Sequence, residues 1–194
     1  NEIDHRVKNS LQSVASLVRV YKGRAERGED MADAFDAIGR RIEATAALHQ
    51  MLHDSPLDDA VMMDDFLKEI ASLLQDSAPD NVSISCEASP VAISTSVASS
   101  IAVIVSEFVA NSIKHAFVDS QSGHVAISGK SLADGTLEIT CEDNGDANPE
   151  STAAKTSASG LGKRIMKASA SQIGATLENG PGPKGYRMVL TLPG

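Results

Sequence analysis

The sequence predicts an α+β chain, with a helical hairpin over residues 1–57 followed by a mixed α/β unit over residues 58–194. Three observations predict it. Ile3, Val7, Leu11, Val14, Val18 and Tyr21 recur at spacings of four, four, three, four and three, the apolar stripe of a helix packed on another helix. A second stripe, Met31, Phe35, Ile38, Ile42, Leu48 and Leu52, follows a charged, glycine-containing connection, "KGRAERGED". Beyond "HDSPLDD", where Pro56 interrupts helix, strand-like alternation takes turns with helical spacing.

The first helix starts abruptly, without a capping lead-in, so an upstream part, a sensor domain, is expected to be missing from this chain. Asp30 is placed to cap the second helix. One hairpin cannot enclose its own apolar stripe, and a homodimer forming a four-helix bundle is the economical solution. Next comes a helix around "MMDDFLKEIASLLQDS", with Phe66, Ile70, Leu73 and Leu74 on one side. "NVSISCEAS" alternates as a strand, and "STSVASSIAVIVSEFVANSIKHAF" reads as a long, mostly buried helix. "HVAISGKSLADGTLEITCEDNG" is a hairpin turning at Asp134-Gly135. The low-complexity run "DANPESTAAKTSAS" follows, then Gly-Leu-Gly opens a helix through "KRIMKASASQIGA", and "ATLENG" and "YRMVLTLP" close the chain as strands.

Hydrophobic residues at 42% and charged residues at 22% describe an ordinary globular protein that buries a core. A net charge of −9 argues against nucleic acid or anionic membrane as a partner, because both favour basic patches. Cys86 and Cys141 stand alone in strands with no metal-ligand spacing, which suits a reducing cytoplasm. No apolar run reaches the ~18 residues of a membrane span, so none is expected.

Chemistry concentrates in four places. His5 lies off the first apolar stripe, on an outer face with Lys8 and Asn9. Glu107, Asn111 and Lys114 fall at i, i+4 and i+7 of the long helix, a carboxylate, a neutral oxygen ligand and a cation on one face, suited to Mg²⁺ and phosphate. "CEDNGD" sets Asp143 at a strand end before Gly145, where a carboxylate can accept a hydrogen bond from an adenine amino group. "SGLGKRI" sets Gly160 and Gly162 at a helix start, where free N–H groups and the helix dipole favour phosphate. His49 and His53 have the i, i+4 spacing of a metal pair but no third ligand, and a helix end that favours cationic histidine explains them.

In that order the motifs resemble those of sensor histidine kinases. "HRVKNSLQ" resembles the phosphoacceptor box of the second HisKA-type family, "EFVANSIKHAF" the N box, "EDNG" and "GLGKRI" the two glycine boxes. The related HWE branch is also near, sharing His115 after the N-box lysine, but its tryptophan in the first glycine box is absent and Cys141 stands there. The resemblance implies a GHKL-type α/β sandwich after the dimerisation hairpin. It implies that His5 takes the γ-phosphoryl group of ATP and passes it to an aspartate on a response-regulator receiver domain. Glu2 or Asp4 is placed to orient the imidazole or accept its proton. Asn111 would ligate Mg²⁺, Lys114 would steady phosphate and Glu107 would aid the metal or nearby water, while His115 and Thr191 join the nucleotide contacts. Asn9, one turn after His5, would position water against a phosphorylated receiver.

Two positions depart from the family pattern: Ala147 replaces the second glycine of DxGxG, and Lys163 follows Gly-Leu-Gly where an apolar residue is common. Residues 150–159 read as a mobile nucleotide lid, with Lys155 near phosphate. A histidine phosphotransferase or receiver phosphatase with lost ATP use, and a purely docking protein, remain as alternatives.

Overall fold

The computed structural model describes residues 32–54, 59–117, 122–145 and 160–194, together with the helical positions Ala15, Val18, Arg19, Lys22 and Ala25. His5, Asn9, Asp30, Pro56 and the loop carrying Ala147 and Lys155 lie outside the described residues. Lys22 and Ala25 are helical although they fall in the expected connection "KGRAERGED". Lysine and alanine are both good helix formers.

Helix α1 (Ala32–Asp54) differs from a helix with a single apolar stripe. Ala44 and Leu48 are buried and Met51 packs beside them, whereas Phe35 is 69% and Ile42 50% exposed. At about 100° per residue these groups lie on opposite sides of the helix. One side packs against helices α2 (Met63–Asp76) and α3 (Thr95–His115), and the other carries apolar side chains to the surface.

Two short strands, β1 (Ala60–Met62) and β3 (Ala92–Ser94), pair antiparallel and set buried Val61 beside buried Ile93. Neither is visible in the sequence, since three residues are too few to show alternation. Asp59, at φ 58, turns the chain into β1, and its carboxylate accepts the Thr95 hydroxyl at 2.6 Å. Ser94 Oγ accepts the Val97 amide and caps α3.

The main sheet has five strands in the order β2-β4-β5-β7-β6, namely β2 (Val82–Ala88), β4 (Gly123–Ser131), β5 (Leu137–Asp143), β6 (Thr176–Pro181) and β7 (Tyr186–Leu192). Only the β2–β4 pair is parallel. The β4–β5 hairpin turns through Gly135 at φ 85, a conformation that glycine adopts without steric cost. Helices α2, α3 and α4 (Gly160–Gln172) cover one face of the sheet, making a two-layer sandwich. Phe66, Ile70, Ile101, Ile104, Ile127, Ile139, Met188 and Leu190 fill the space between the layers.

Helix α3 is long and apolar enough to cross a membrane by length and composition, contrary to the expectation that no run reaches that length. Serines and alanines among its aliphatic residues hide the run from a simple reading. The same small residues let it pack closely, and 67% of its apolar window is buried inside the protein. It is the central helix of the core.

Candidate functional site

Asp143 ends β5 on the helix-covered face and is 3% exposed. A buried carboxylate is costly unless its oxygens are hydrogen-bonded. Here Ser112 Oγ donates to Oδ2 at 2.8 Å, and the amides of Gly145 and Tyr186 donate to Oδ1 at 3.1 and 3.0 Å. The three donors come from α3, from the turn after β5 and from the start of β7, so the carboxylate ties three elements together. Ionised, it has about four acceptor positions, which leaves room for one donor from a ligand.

The backbone closes tightly around this group. A Cβ on Gly145 would stand 2.5 Å from Ala116 Cβ at the end of α3, and one on Gly185 would run into the Asp143 carbonyl and carboxylate. Only glycine fits at either position. Tyr186 sends its ring to the same face, near-parallel to Phe108 of α3 with centroids 6.5 Å apart. Burial, and then the Asp143 charge, push its phenol above the ordinary tyrosine range.

A second group lies across α3. Glu107 and Asn111 are one turn apart, and both face the beginning of α4. A Cβ on Gly162 would lie 3.0 Å from Glu107 Oε2 and 3.6 Å from Asn111 Nδ2. Gly162 is buried, so the Gly-Leu-Gly start of α4 abuts the α3 row directly. Lys114, exposed, and His115, half-buried, continue α3 toward its C-terminus. From α1, Arg40 Nη2 approaches Glu107 Oε1 at 3.9 Å.

The structure therefore brings Asp143 and Gly145 together at one end of α3, and Glu107, Asn111 and Gly162 together along it, with Gly160 at the first position of α4. Thr191 belongs to neither group. It pairs with Glu138 and Thr176, about four residues and ~13 Å along β7 from Arg187. Buried Met188 and Leu190 point to the helices, so Thr191 alternates to the opposite face. Sequence reasoning missed Ser112, Tyr186 and Arg40; a hydroxyl directly after Asn111 was the one available hint.

The residues present fit a purine nucleotide with a divalent cation. Asp143 retains acceptor capacity for an amino group, the α4 N-terminus offers backbone donors, and Glu107 and Asn111 supply hard oxygen ligands. No group of three potential metal-ligating His, Cys, Asp or Glu side chains exists among the described residues, and His49 is simply exposed on α1. Cys141 is fully buried beside the site, and desolvation drives its thiol far above the usual range.

Comparison with known proteins agrees with this geometry. The HisKA_2 model, described as histidine kinase, matches residues 2–78. The model of histidine kinase-, DNA gyrase B- and HSP90-like ATPases matches residues 96–194. Blue-light-activated histidine kinase 2 of Erythrobacter litoralis is 28% identical over 197 residues, covering 99% of this chain and 56% of that protein. Sensor histidine kinase PdtaS of Mycobacterium tuberculosis is 29% identical over 169 residues, covering 86% of this chain and 33% of that protein. The chain thus spans about half the length of the first relative and a third of the second. The solved histidine kinase domain of the Erythrobacter litoralis blue-light activated kinase shares the fold, with a TM-score of 0.75 at 24% identity, covering 99% of this chain and 92% of that one. With a wired aspartate at a sheet end, an asparagine helix facing a glycine-opened helix, and both models matched, the chain belongs to the family of histidine kinase-, DNA gyrase B- and HSP90-like ATPases, joined to a HisKA_2 histidine kinase segment.

Proposed function

We propose that this chain is the core of a two-component protein-histidine kinase, which moves the γ-phosphoryl group of ATP onto His5 and then to an aspartate of a response-regulator receiver. The observation that supports it most is the meeting of two groups on one helix: Asp143 bonded to Ser112 at one end of α3, and Glu107 and Asn111 facing Gly162 beside it. A purine set against Asp143 directs its phosphates along α3 toward α4. The amides around Gly160 and Gly162 and the Lys114 ammonium then hold those phosphates, and His115 borders them.

Asn111 would hold Mg²⁺, which would supply charge neutralisation at the transferring group. A neutral His5 nitrogen forms the new N–P bond as the bond to the β-phosphate oxygen breaks and ADP leaves. The imidazole proton passes to a nearby carboxylate, for which Glu107 is the candidate within the described residues. Homodimerisation through the helical hairpin, a cytoplasmic location and an upstream sensor complete the reading.

The test is incubation with γ-labelled ATP and Mg²⁺. Wild type is expected to take up acid-labile label, and His5→Ala to take up none while keeping its circular dichroism and association state. Label on His5→Ala, or wild type that binds ATP without labelling, would overturn the reading, and the latter outcome would favour a phosphatase or phosphotransferase.

A further inference from the structure

Arg40 sits on α1, outside the sandwich, yet its guanidinium reaches the row on α3 that faces the phosphates in the nucleotide reading. Its Nη2 lies 3.9 Å from Glu107 Oε1, with the two side chains 18% and 14% exposed. The other oxygen, Oε2, is turned toward the start of α4 at Gly162. One carboxylate thus bridges α1 and the Gly-Leu-Gly turn. Arg40 reaches it because it lies four residues before Ala44 and eight before Leu48, on the side of α1 that enters the core.

This pair is built to exchange rather than to hold. Its distance is at the outer limit for an ion pair, and a single nitrogen is engaged where a guanidinium fork would give two shorter bonds. Arg40 Nε is buried with no hydrogen-bond partner among the described residues. Arg40 also borders a shallow recess with Ile70, Leu73 and Ser106, and its guanidinium leaves part of its donor capacity unused. Glu107 meanwhile has a second claim on it, since the same carboxylate is assigned to the metal or the histidine proton.

We propose that Arg40 is a positioning residue acting through Glu107: it draws the carboxylate toward α1, and phosphoryl transfer requires this pair to open. The inference rests on the nucleotide reading above. Since α1 continues from the segment that carries His5, any displacement of α1 against α3 changes how available Glu107 is. The ion pair then couples the position of the hairpin to the competence of the nucleotide site.

Arg40→Gln removes the charge and keeps a polar side chain, and Arg40→Lys keeps the charge. In single-turnover labelling, Arg40→Gln is expected to raise kcat roughly fivefold, the low end of ordinary coupling, with KM for ATP unchanged, while Arg40→Lys stays near wild type. In hydrogen exchange of the nucleotide-free chain, amides of residues 32–54 should exchange faster in Arg40→Gln and not in Arg40→Lys. A lower kcat with raised KM would place Arg40 on the phosphates and overturn the proposal, as would unchanged rate and exchange. Glu107→Gln, read by exchange alone, should release α1 to the same degree, and the double variant should add nothing further. The Glu107→Gln exchange measurement by itself decides the matter even where Arg40→Gln does not fold or where wild type takes up no phosphate, a result that would instead remove the kinase reading.

Discussion

Asp143 carries most of the geometry at the residue scale, because its two oxygens accept from Ser112, Gly145 and Tyr186 at once. Asp143→Asn replaces one acceptor oxygen by a donor and removes the charge. We expect it to weaken ATP binding by about 1.5–3 kcal/mol, the range of hydrogen bonds to charged groups, read by calorimetry; unchanged affinity would take Asp143 out of the adenine site. Asp143 and Gly145 were legible as a short contiguous motif. Their partners were not, since Ser112 and Tyr186 are 31 and 43 residues away from Asp143 and meet it only once the sheet and α3 are packed.

Beside it, Cys141 gives a pH signature. Full burial raises its thiol well above the ordinary cysteine value of about 8.5. A neutral thiol therefore favours the folded state fully below that value, and the contribution is lost as pH rises above it, because the unfolded chain ionises first. Urea unfolding across about pH 9 should show stability falling more steeply in wild type than in Cys141→Ala. Equal slopes would mean that the thiol does not stay protonated in the folded chain.

Among the elements, α1 has two jobs on two faces. The inward face, with Ala44 and Leu48, belongs to the core, and Leu48→Ala should cost about 2–5 kcal/mol, the range for deleting a buried leucine. The outward face leaves Phe35 and Ile42 exposed, and the proposed dimerisation would cover them. Replacing both by serine should shift the chain from dimer to monomer in sedimentation with Tm little changed; a dimer that persists would put the interface elsewhere. In the sequence Phe35, Ile42 and Leu48 read as one near-heptad stripe, although Leu48 follows Ile42 by six residues and so turns about 120° away from it, while Ala44 carries too weak a hydrophobic signal to mark the other face. Local reading likewise says nothing of the side of β7 on which Thr191 stands. A strand's inward residues are fixed by parity, and in β7 the parity is set by Met188 and Leu190.

For the whole molecule, the consequence of this packing is that α1 and the sandwich share one core. Ala44 and Leu48 of α1 sit in the same cluster as Phe66 of α2, Ile104 of α3 and Leu190 of β7. Thermal unfolding should then be a single transition in which α1 melts with the sheet, seen as coincident loss of far-ultraviolet signal and of exchange protection in residues 32–54. Two separated transitions would show that α1 docks without joining the core. ATP adds a second expectation. A ligand bound only by the folded chain, present at about 100 times its Kd, stabilises by ~2.7 kcal/mol. At about 2–4 °C per kcal/mol for a domain of this size, Tm should rise by roughly 5–10 °C. In Asp143→Asn, whose Kd is raised by the ~1.5–3 kcal/mol above, the same ATP concentration should give only about 0.3–1.3 kcal/mol, a rise of roughly 1–5 °C, while the full rise should survive in Arg40→Gln, which leaves the nucleotide contacts intact. A nucleotide-induced rise of equal size in all three proteins would locate binding away from the Asp143 end of α3, and with it the orientation assigned to the phosphates would have to be reversed.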